Sequence, residues 1–335
     1  MIKNIKKHFY VWSSDCFSNT GEGKLAILYL RSLYRYNDDS KIEVETPYNK
    51  FIVNKNCNFL ISKKLNYNFY IKYITPILGI FKLWINYFKK KKIIYLNYLP
   101  LWNSFIFFLS PPGTIFGPIT GGIYKKKIMN INYFLRRFVF PLIYKINIKI
   151  LFFRKKKILF STSLLRNFIP KKKLHKCIFD FQILYLYKKK INNNRKSKSL
   201  LIYFRKHSNK NYNFQTEIIK SFHKSNIFIF GDYYNSKLVK NFGTISTIKL
   251  KNLLKKSKYV VAGLENYASF FLLDCYLNNI GLIENSKMVS ESKIVNFKAK
   301  KLPFNSQQKY YQILIDKKSL INLRKQVKNY LVKFN

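Results

Sequence analysis

Short apolar segments alternate with amphipathic segments in the second half of the chain, and this alternation limits the fold more than any other feature of the sequence. The amphipathic segments, such as TIKLKNLLKKS (247–257), have apolar residues at helical spacing. A helix between consecutive strands is the connection that parallel pairing requires, so repeated β-α-β units are predicted. The predicted strands are SLLIYFRKH (199–207), NIFIFGD (226–232), KYVVAGL (258–264) and IGLI (280–283).

The first half of the chain begins with the same pattern. HFYVWSS (8–14) has the character of a buried strand, and GKLAILYLRSLYRY (23–36) that of an amphipathic helix. The polar segment KKKINNNRKSKS (188–199) is the best candidate for a linker. We therefore expect an α/β protein with two doubly wound, Rossmann-like domains and a helical C-terminal tail. The predicted divisions are an N-terminal domain (1–190), a C-terminal domain (191–305) and terminal helices (306–335) that pack back on the N-terminal domain.

The chain is strongly basic, and its acids are unevenly distributed. Lys and Arg number 63 against 14 Asp and Glu, which gives a formal net charge of +49. No acid lies between Glu45 and Asp180. A/T-rich codons explain part of the lysine excess, but a positive field of this size also favours anionic partners such as phosphate-bearing metabolites, nucleic acid or a membrane surface. We expect the first half to contact an anionic membrane surface, because its lysines form runs at 89–92, 125–127, 155–157 and 171–173.

The longest apolar segment, YITPILGIFKLWINYF (73–88), is shorter than the roughly 20 residues of a membrane-spanning helix and contains Pro76 and Lys82. An interfacial helix and a buried helix both fit it. The N-terminal segment MIKNIKKHFYVW lacks the apolar region of a signal peptide. The four cysteines form no C-x-x-C pair. We therefore expect a cytoplasmic protein at the inner face of the cell membrane.

The glycine-rich stretch SNTGEGKLA (18–26) is not a phosphate-binding P-loop. That motif needs Gly where Ser18 stands and Ser or Thr where Leu25 stands. We expect a turn after the first strand instead, in which Gly21 and Gly23 let the backbone approach a ligand. Two of the few acids, Asp15 and Glu22, flank this turn and are candidates for general-base chemistry or acceptor contact. Capping of the following helix is the alternative role for either acid.

The segment NFGTISTIKLKNLLKKSKYVVAGLENYASFFLLDCYLNNIGLI (241–283) resembles the donor-binding core of the retaining glycosyltransferases related to glycogen synthase. That family has the GT-B architecture, in which two Rossmann-like domains face each other across a cleft. It shows a glycine turn, a strand, a Glu-x7-Glu motif that opens a helix and a further glycine turn. Gly243, Asn266, Asp274 and Gly281 fall at the matching places, with Asn and Asp replacing the two Glu residues.

The resemblance implies a role for each of these positions. Asn266 stands where the family's first Glu binds the donor sugar, and Glu265 supplies that carboxylate if the turn shifts by one residue. Asp274 stands where the second Glu accepts hydrogen bonds from both ribose hydroxyls. Residues from Tyr267 onward are expected to open the helix, with their amides facing the diphosphate.

Two further segments support the resemblance. In RKHSNKN (205–211), Arg205 and Lys210, with Lys206 beside them, match the basic pair that neutralises the diphosphate leaving group in the family. In the first half, PPGTIFGPITGG (111–122) is similar to a GP-x-GG signature of bacterial members. Gly121, with Gly117 and Gly122, is therefore expected to lie against a ligand; an ordinary turn is the alternative.

The resemblance thus implies a glycosyltransferase of the hexosyl and retaining type. It would move a sugar from a nucleoside-diphosphate sugar to a lipid-linked or polysaccharide acceptor in surface glycan synthesis, such as that of lipopolysaccharide. No metal-ligand pattern is present, so neither a metal nor another cofactor is expected. The alternatives are a basic nucleic-acid-binding protein, for which no recognised module is visible, and a catalytically degenerate GT-B scaffold at the membrane, which Asn266 at the first motif position favours.

Overall fold

The computed structural model describes residues 7–14, 17, 21–37, 40–53, 74–97, 99–122, 134–186, 190, 199–206, 212–222, 226–262, 266–284, 294–302 and 309–332. The chain divides into two compact units. Unit 1 comprises Met1–Ile123, Phe134–Gln182 and Ile321–Asn335, and unit 2 comprises Tyr124–Tyr133 and Ile183–Leu320. Of the predicted linker, only Lys190 and Ser199 are among the described residues.

Unit 1 contains a five-stranded sheet in the order β3-β2-β1-β4-β5. All neighbours pair in parallel except β3, which runs antiparallel to β2 at one edge. The strands are β1 (His8–Ser13), β2 (Lys41–Glu45), β3 (Lys50–Ile52), β4 (Lys92–Asn97) and β5 (Ile115–Phe116). The helices are α1 (Gly21–Arg35), α2 (Thr75–Phe88), α3 (Ser104–Leu109) and α4 (Phe140–Arg154).

The central strand β1 shows why this sequence forms a parallel sheet. Phe9, Tyr10, Val11 and Trp12 are each at most 1% exposed, so both faces of the strand are buried. A continuous apolar run of this kind is typical of a strand covered on both faces by helices. The prediction of a buried strand at 8–14 is therefore confirmed.

Beyond β5 the parallel pairing continues through short elements. Ile119 forms a parallel bridge with Phe160. The next strand, β6 (Ile158–Leu159), pairs in parallel with β7 (Cys177–Ile178). Short helical turns flank these strands: a π-helical turn at Leu135–Val139 and 3-10 turns at Ser163–Phe168, Lys171–Lys176 and Phe181–Leu186.

Unit 2 contains a seven-stranded sheet in the order β10-β9-β8-β11-β12-β14-β13. The first five strands in that order are parallel, and β14 pairs antiparallel with both β12 and β13. The strands are β8 (Ser199–Phe204), β9 (Ile227–Gly231), β10 (Val239–Asn241), β11 (Ser257–Val261), β12 (Gly281–Glu284), β13 (Val295–Lys301) and β14 (Lys309–Ile315). The helices are α5 (Tyr212–Ser221), α6 (Thr247–Lys256), α7 (Phe270–Leu277) and α8 (Lys317–Val332).

The C-terminal segment corrects one prediction. Residues 309–315, expected to be helical, form β14, and only Lys317–Val332 is a helix. The part of α8 that belongs to unit 1 is anchored there, since Tyr330 Oη donates to Phe116 O at 2.7 Å and Asn37 Nδ2 donates to Leu331 O at 3.2 Å.

In each sheet, the side on which successive strands are added reverses at one point, the switch point. Along the chain, strands are added first to one side of β1 and then, from β4 onward, to its other side. In unit 2 the same change occurs between β8 and β11. Both units are therefore doubly wound α/β sheets, as predicted, and the carboxyl ends of the strands beside such a switch point are where ligands bind in this architecture.

Residues 75–88 of the long apolar segment form α2, which buries one face and exposes the other. Ile80 and Leu83 are buried, whereas Phe81 and Phe88 are exposed. Among the described residues, no helix has both the length and the apolar character needed to cross a membrane.

Candidate functional site

The carboxyl edge of the unit 2 sheet gathers charged residues at the ends of successive strands. Arg205 and Lys206 directly follow β8, Asp232 follows β9 and Glu284 ends β12. Because these strands are parallel, their carboxyl ends meet at one edge, beside the switch point between β8 and β11. This edge is the candidate functional site.

The chain leaving β8 is held by hydrogen bonds from the neighbouring strand. Lys206 N donates to Asp232 Oδ2 at 2.6 Å, and Asp232 N donates to Phe204 O at 2.9 Å. Gly231 makes this close approach possible, since its φ is +104° and a Cβ there would overlap Phe204 O. The side chains of Arg205 and Lys206 are exposed. Two cations are therefore presented to solvent on a backbone fixed by two adjacent strands.

An aromatic cluster lies directly beside these cations. Tyr203 of β8 stacks on Phe230 of β9 with a centroid distance of 4.9 Å, and Phe271 of α7 contacts both rings at 5.5 and 5.4 Å. Arg205 Nη1 donates to Tyr203 Oη at 3.4 Å, which joins the guanidinium to the cluster. The sequence analysis did not identify these aromatic residues, because their contact joins three segments that are distant along the chain.

The start of α7 differs from the prediction. The helix begins at Phe270, not at Tyr267, because Asn266 and Ser269 form a capped turn before it. Asn266 Oδ1 accepts from Ala268 N at 3.1 Å, and Ser269 Oγ accepts from Leu272 N at 3.4 Å. The carbonyl oxygen of the Asn266 side chain thus takes part in the turn at the position where the resemblance expects a sugar-binding group.

Asp274 lies on α7 and is buried. The Tyr185 hydroxyl donates to its carboxylate, and the Tyr185 ring contacts Phe270 edge-on at a centroid distance of 5.5 Å. Burial raises the pKa of Tyr185, and the charge and hydrogen bond of Asp274 raise it further. Tyr185 therefore holds its proton and serves as a fixed donor to Asp274.

Tyr267 precedes α7 and packs against β13, with its ring 5.2 Å from that of Phe297. Its pKa is raised first by burial and then by the charge of Glu284, which is 4% exposed. Asp232 and Glu284 were both missed by the sequence analysis. Each could have been found from its position at the carboxyl end of a predicted strand, whereas Arg205 was chosen from the basic pair that the resemblance implies.

In unit 1, the predicted glycine turn is a helix start. Gly21, Glu22 and Gly23 form the first turn of α1, so only Gly21, with φ +54°, keeps the left-handed conformation expected of a glycine turn. Gly23 is buried within the helix, and Glu22 is half-buried in its first turn.

Two glycines of the GP-x-GG segment pack closely against leucine side chains of unit 1. Neither Gly117 nor Gly121 has a positive φ. A Cβ on Gly121 would lie 2.8 Å from Leu165 Cδ2, and one on Gly117 would lie 2.8 Å from Leu96 Cδ1. Their small size therefore permits packing within unit 1, and ligand contact at Gly121 stays a prediction.

Polar side chains meet at the carboxyl edge of the unit 1 sheet, beside its own switch point. Trp12 Nε1 donates to Ser14 Oγ at 2.9 Å, and Ser14 Oγ is 2.5 Å from Tyr95 Oη. All three side chains are buried, so the cluster stabilises the sheet edge from within. Asp15, which follows it, is outside the described residues, as are Glu265 and Lys210.

Within the part of the chain that the structure describes, no group of three or more His, Cys, Asp or Glu side chains lies together in a way that could hold a metal ion.

The chain matches no protein-family model and no curated protein sequence. It is similar to solved structures of nucleotide-sugar enzymes at low identity. The S. aureus MnaA–UDP co-structure has a TM-score of 0.42 at 10% identity and covers 86% of this chain and 81% of that chain. UDP-GlcNAc 2-epimerase from Methanocaldococcus jannaschii, in complex with UDP-GlcNAc and UDP, has a TM-score of 0.40 at 10% identity, covering 83% of each chain.

E. coli heptosyltransferase WaaC with ADP has a TM-score of 0.32 at 9% identity and covers 80% of this chain and 84% of that chain. None of these three is named as a relative of glycogen synthase. All three TM-scores are below 0.5.

Proposed function

We propose that the protein is a glycosyltransferase whose unit 2 binds a nucleoside-diphosphate sugar. The observation that carries this proposal is the carboxyl edge of the unit 2 sheet, where exposed Arg205 and Lys206 leave β8 beside the switch point. This is where doubly wound sheets bind nucleotides. Fixed cations there stabilise the negative charge that develops on a departing diphosphate.

In the proposed reaction, an acceptor hydroxyl oxygen forms a bond to the anomeric carbon of the donor sugar. The bond from that carbon to the diphosphate oxygen breaks, and its electron pair leaves with the nucleoside diphosphate. The hydroxyl proton passes to a base. Glu22, Asp15 and Glu265 stay the candidates for this base, because each is an acid near the carboxyl end of a central strand.

Asp274 is the proposed acceptor for the ribose hydroxyls. The Tyr185 hydroxyl fixes the orientation of its carboxylate, and carboxylate oxygens accept hydrogen bonds from hydroxyl groups. Asn266 and Tyr267 lie just before α7 and are proposed to contact the donor, as are Lys210, Gly21, Gly23 and Gly121 from their positions in the sequence pattern. The proposal includes no metal or other cofactor.

The sequence resemblance supports the finer part of the proposal. It suggests retaining transfer of a hexose to a lipid-linked or polysaccharide acceptor in surface glycan synthesis. Such an acceptor would be met at the cytoplasmic face of the cell membrane. This acceptor class depends on the resemblance alone, whereas donor binding also depends on the geometry of unit 2.

Thermal unfolding in the presence of nucleoside diphosphates and their sugars tests donor binding. A nucleotide at about 100 times its Kd stabilises a protein by about 2.7 kcal/mol, which corresponds to roughly 5–10 °C for a unit of this size. Arg205→Ala should weaken binding about 10- to 100-fold, because a charge-assisted hydrogen bond is worth about 1.5–3 kcal/mol. Asp274→Asn keeps the side-chain shape. It should weaken the binding of nucleotides far more than the binding of inorganic diphosphate, which has no ribose.

Lys251→Ala is the matched control, since Lys251 is an exposed cation on α6 of the same unit. It should bind nucleotides like the unaltered protein. The donor-site assignment fails if no nucleotide raises the unfolding temperature. It also fails if nucleotides raise the unfolding temperatures of Arg205→Ala and Lys251→Ala by the same amount.

A further inference from the structure

Three neighbouring helices of unit 1 share one outer surface. Trp84 Nε1 on α2 donates to Leu109 O at the end of α3, at 2.9 Å. The Arg154 guanidinium of α4 donates to Phe107 O and, at 3.1 Å, to Phe108 O, also at the end of α3. The short helix α3 is therefore hydrogen-bonded to both longer helices, and the three outer faces are adjacent. We call this face the α2–α4 surface.

The α2 part of this surface is apolar. Ile77, Phe81 and Phe88 are 62%, 64% and 73% exposed. Their spacing of four and seven residues places them on one side of the helix. The opposite side, which includes Ile80 and Leu83, is buried in the core. α2 thus presents an apolar stripe to solvent as well as to the core.

α3 and α4 continue the apolar stripe. Leu142, Ile146 and Phe153 of α4 have the same spacing of four and seven residues, and Phe153 is 94% exposed. Between the two long helices, Phe105 and Phe108 of α3 are also exposed. Eight large side chains, each exposing roughly 100 Å² or more, exceed the few hundred Å² that soluble monomers usually leave exposed. A surface of this kind marks an interaction site.

The same surface is positively charged. Lys145 and Lys149 are exposed on α4, and Lys89 and Lys90 are exposed directly after α2. No acid occurs anywhere from residue 46 to residue 179, so the sequence that forms these helices carries no negative side chain. Apolar side chains beside uncompensated cations complement an anionic bilayer, in which acyl chains lie under negatively charged headgroups.

We propose that the α2–α4 surface binds an anionic lipid bilayer, with its phenylalanine and aliphatic side chains entering the headgroup and acyl boundary. Charge argues against a second copy of the chain as the occupant, because two such surfaces would bring lysines together with no acid to pair them. Side-chain type argues against nucleic acid, because Ile77, Leu142 and Ile146 cannot stack on bases. The proposal concerns unit 1 and does not depend on the donor site of unit 2.

Co-sedimentation with vesicles tests the proposal. The full chain is mixed with vesicles of phosphatidylcholine alone or of phosphatidylcholine with 30% phosphatidylglycerol, at low and high salt. A protein of this net charge also binds anionic vesicles non-specifically, so the decisive variant is Phe81→Ser/Phe153→Ser, which leaves the charge unaltered. Both side chains are exposed, so the variant should fold, as circular dichroism would verify.

We expect this double variant to bind phosphatidylglycerol vesicles roughly 10- to 100-fold more weakly, at about ten-fold per phenylalanine. The matched control is Tyr233→Ser/Ile248→Ser, which removes two side chains of unit 2 that are 64% and 75% exposed. It should change binding less than two-fold. Equal binding by both double variants would overturn the proposal.

Charge reversal supplies the second test. Lys145→Glu/Lys149→Glu should weaken vesicle binding more than Lys251→Glu/Lys255→Glu, whose side chains are exposed on α6 of unit 2. Equal losses would show that binding follows net charge alone and would overturn the proposal. A loss of single-stranded DNA binding in Phe81→Ser/Phe153→Ser, with vesicle binding unchanged, would assign the surface to nucleic acid instead.

Discussion

A single methyl group added to α2 should destabilise unit 1. Gly79 lies against the Trp12 indole, and a Cβ at this position would overlap three atoms of that ring. The indole has no free space to enter, because Trp12 is 1% exposed and its Nε1 donates to Ser14 Oγ at 2.9 Å. Gly79→Ala must therefore displace either the helix or the Trp12 indole.

Two effects of this substitution oppose each other. Replacing Gly by Ala inside a helix usually stabilises it by about 1 kcal/mol. Overpacking a buried contact costs about 1–3 kcal/mol, and losing the Trp12 hydrogen bond costs about 1 kcal/mol more. The overlap therefore outweighs the helix propensity, with a net loss of about 2 kcal/mol in the free energy of unfolding. This corresponds to an unfolding temperature about 4–8 °C lower.

Thermal unfolding of Gly79→Ala and of a control variant checks the sign of this change in stability. Gly122→Ala is the matched control, because Gly122 is exposed and a Cβ there would meet no atom within 4 Å. It should change the unfolding temperature by no more than about 1–2 °C. If Gly79→Ala instead raises the unfolding temperature, helix propensity dominates and the described contact between α2 and β1 is wrong.

Two predictions concern pH. Burial raises the pKa of Glu43, but hydrogen bonds from Lys91 and Lys41 outweigh this effect and lower it to about 2. The stability contributed by these bonds, roughly 1–3 kcal/mol, should therefore be complete above pH 4.5 and lost as the pH falls towards 2. In urea unfolding, Glu43→Gln should lose less stability over this pH range than the unaltered protein. Burial, and then the charge of Arg154, lowers the pKa of Lys155 to about 8. Its acetylation rate, followed by mass spectrometry, should level off above that pH, whereas a rate still rising at pH 10 would contradict the shift.

Strand positions were predictable where burial alone determined them. FYVW (9–12) and LLIYF (200–204) are continuous apolar runs typical of buried strands, and both lie in central strands of their sheets. KYYQILI (309–315) was wrongly predicted as helical. Its strand forms through antiparallel pairing with β12 and β13, a non-local contact that joins Val295 to Ile315. Local sequence contains no signal for such a partner.

Charged residues of the candidate site are predictable where they stand at the end of a strand. Asp232 and Glu284 could have been found in this way, whereas Arg205 was chosen because the resemblance implies a basic pair after the first strand of the donor domain. The bond between Tyr185 and Asp274 could not, because the two residues are 89 positions apart in the sequence and meet only in the folded unit. The start of α7 was missed for a local reason, since Asn266 and Ser269 both act as caps and the later cap determines where the helix begins.

The sequence could not decide which side of α2 is buried, because large apolar residues occur on every side of YITPILGIFKLWINYF. In the structure Gly79 decides it. Only a residue without a side chain lets the helix approach the Trp12 indole, so the side that carries Gly79 and Leu83 turns to the core. The side that carries Phe81 is consequently directed to solvent. The contact that fixes the stability of unit 1 thus also determines which apolar side chains remain available to a bilayer.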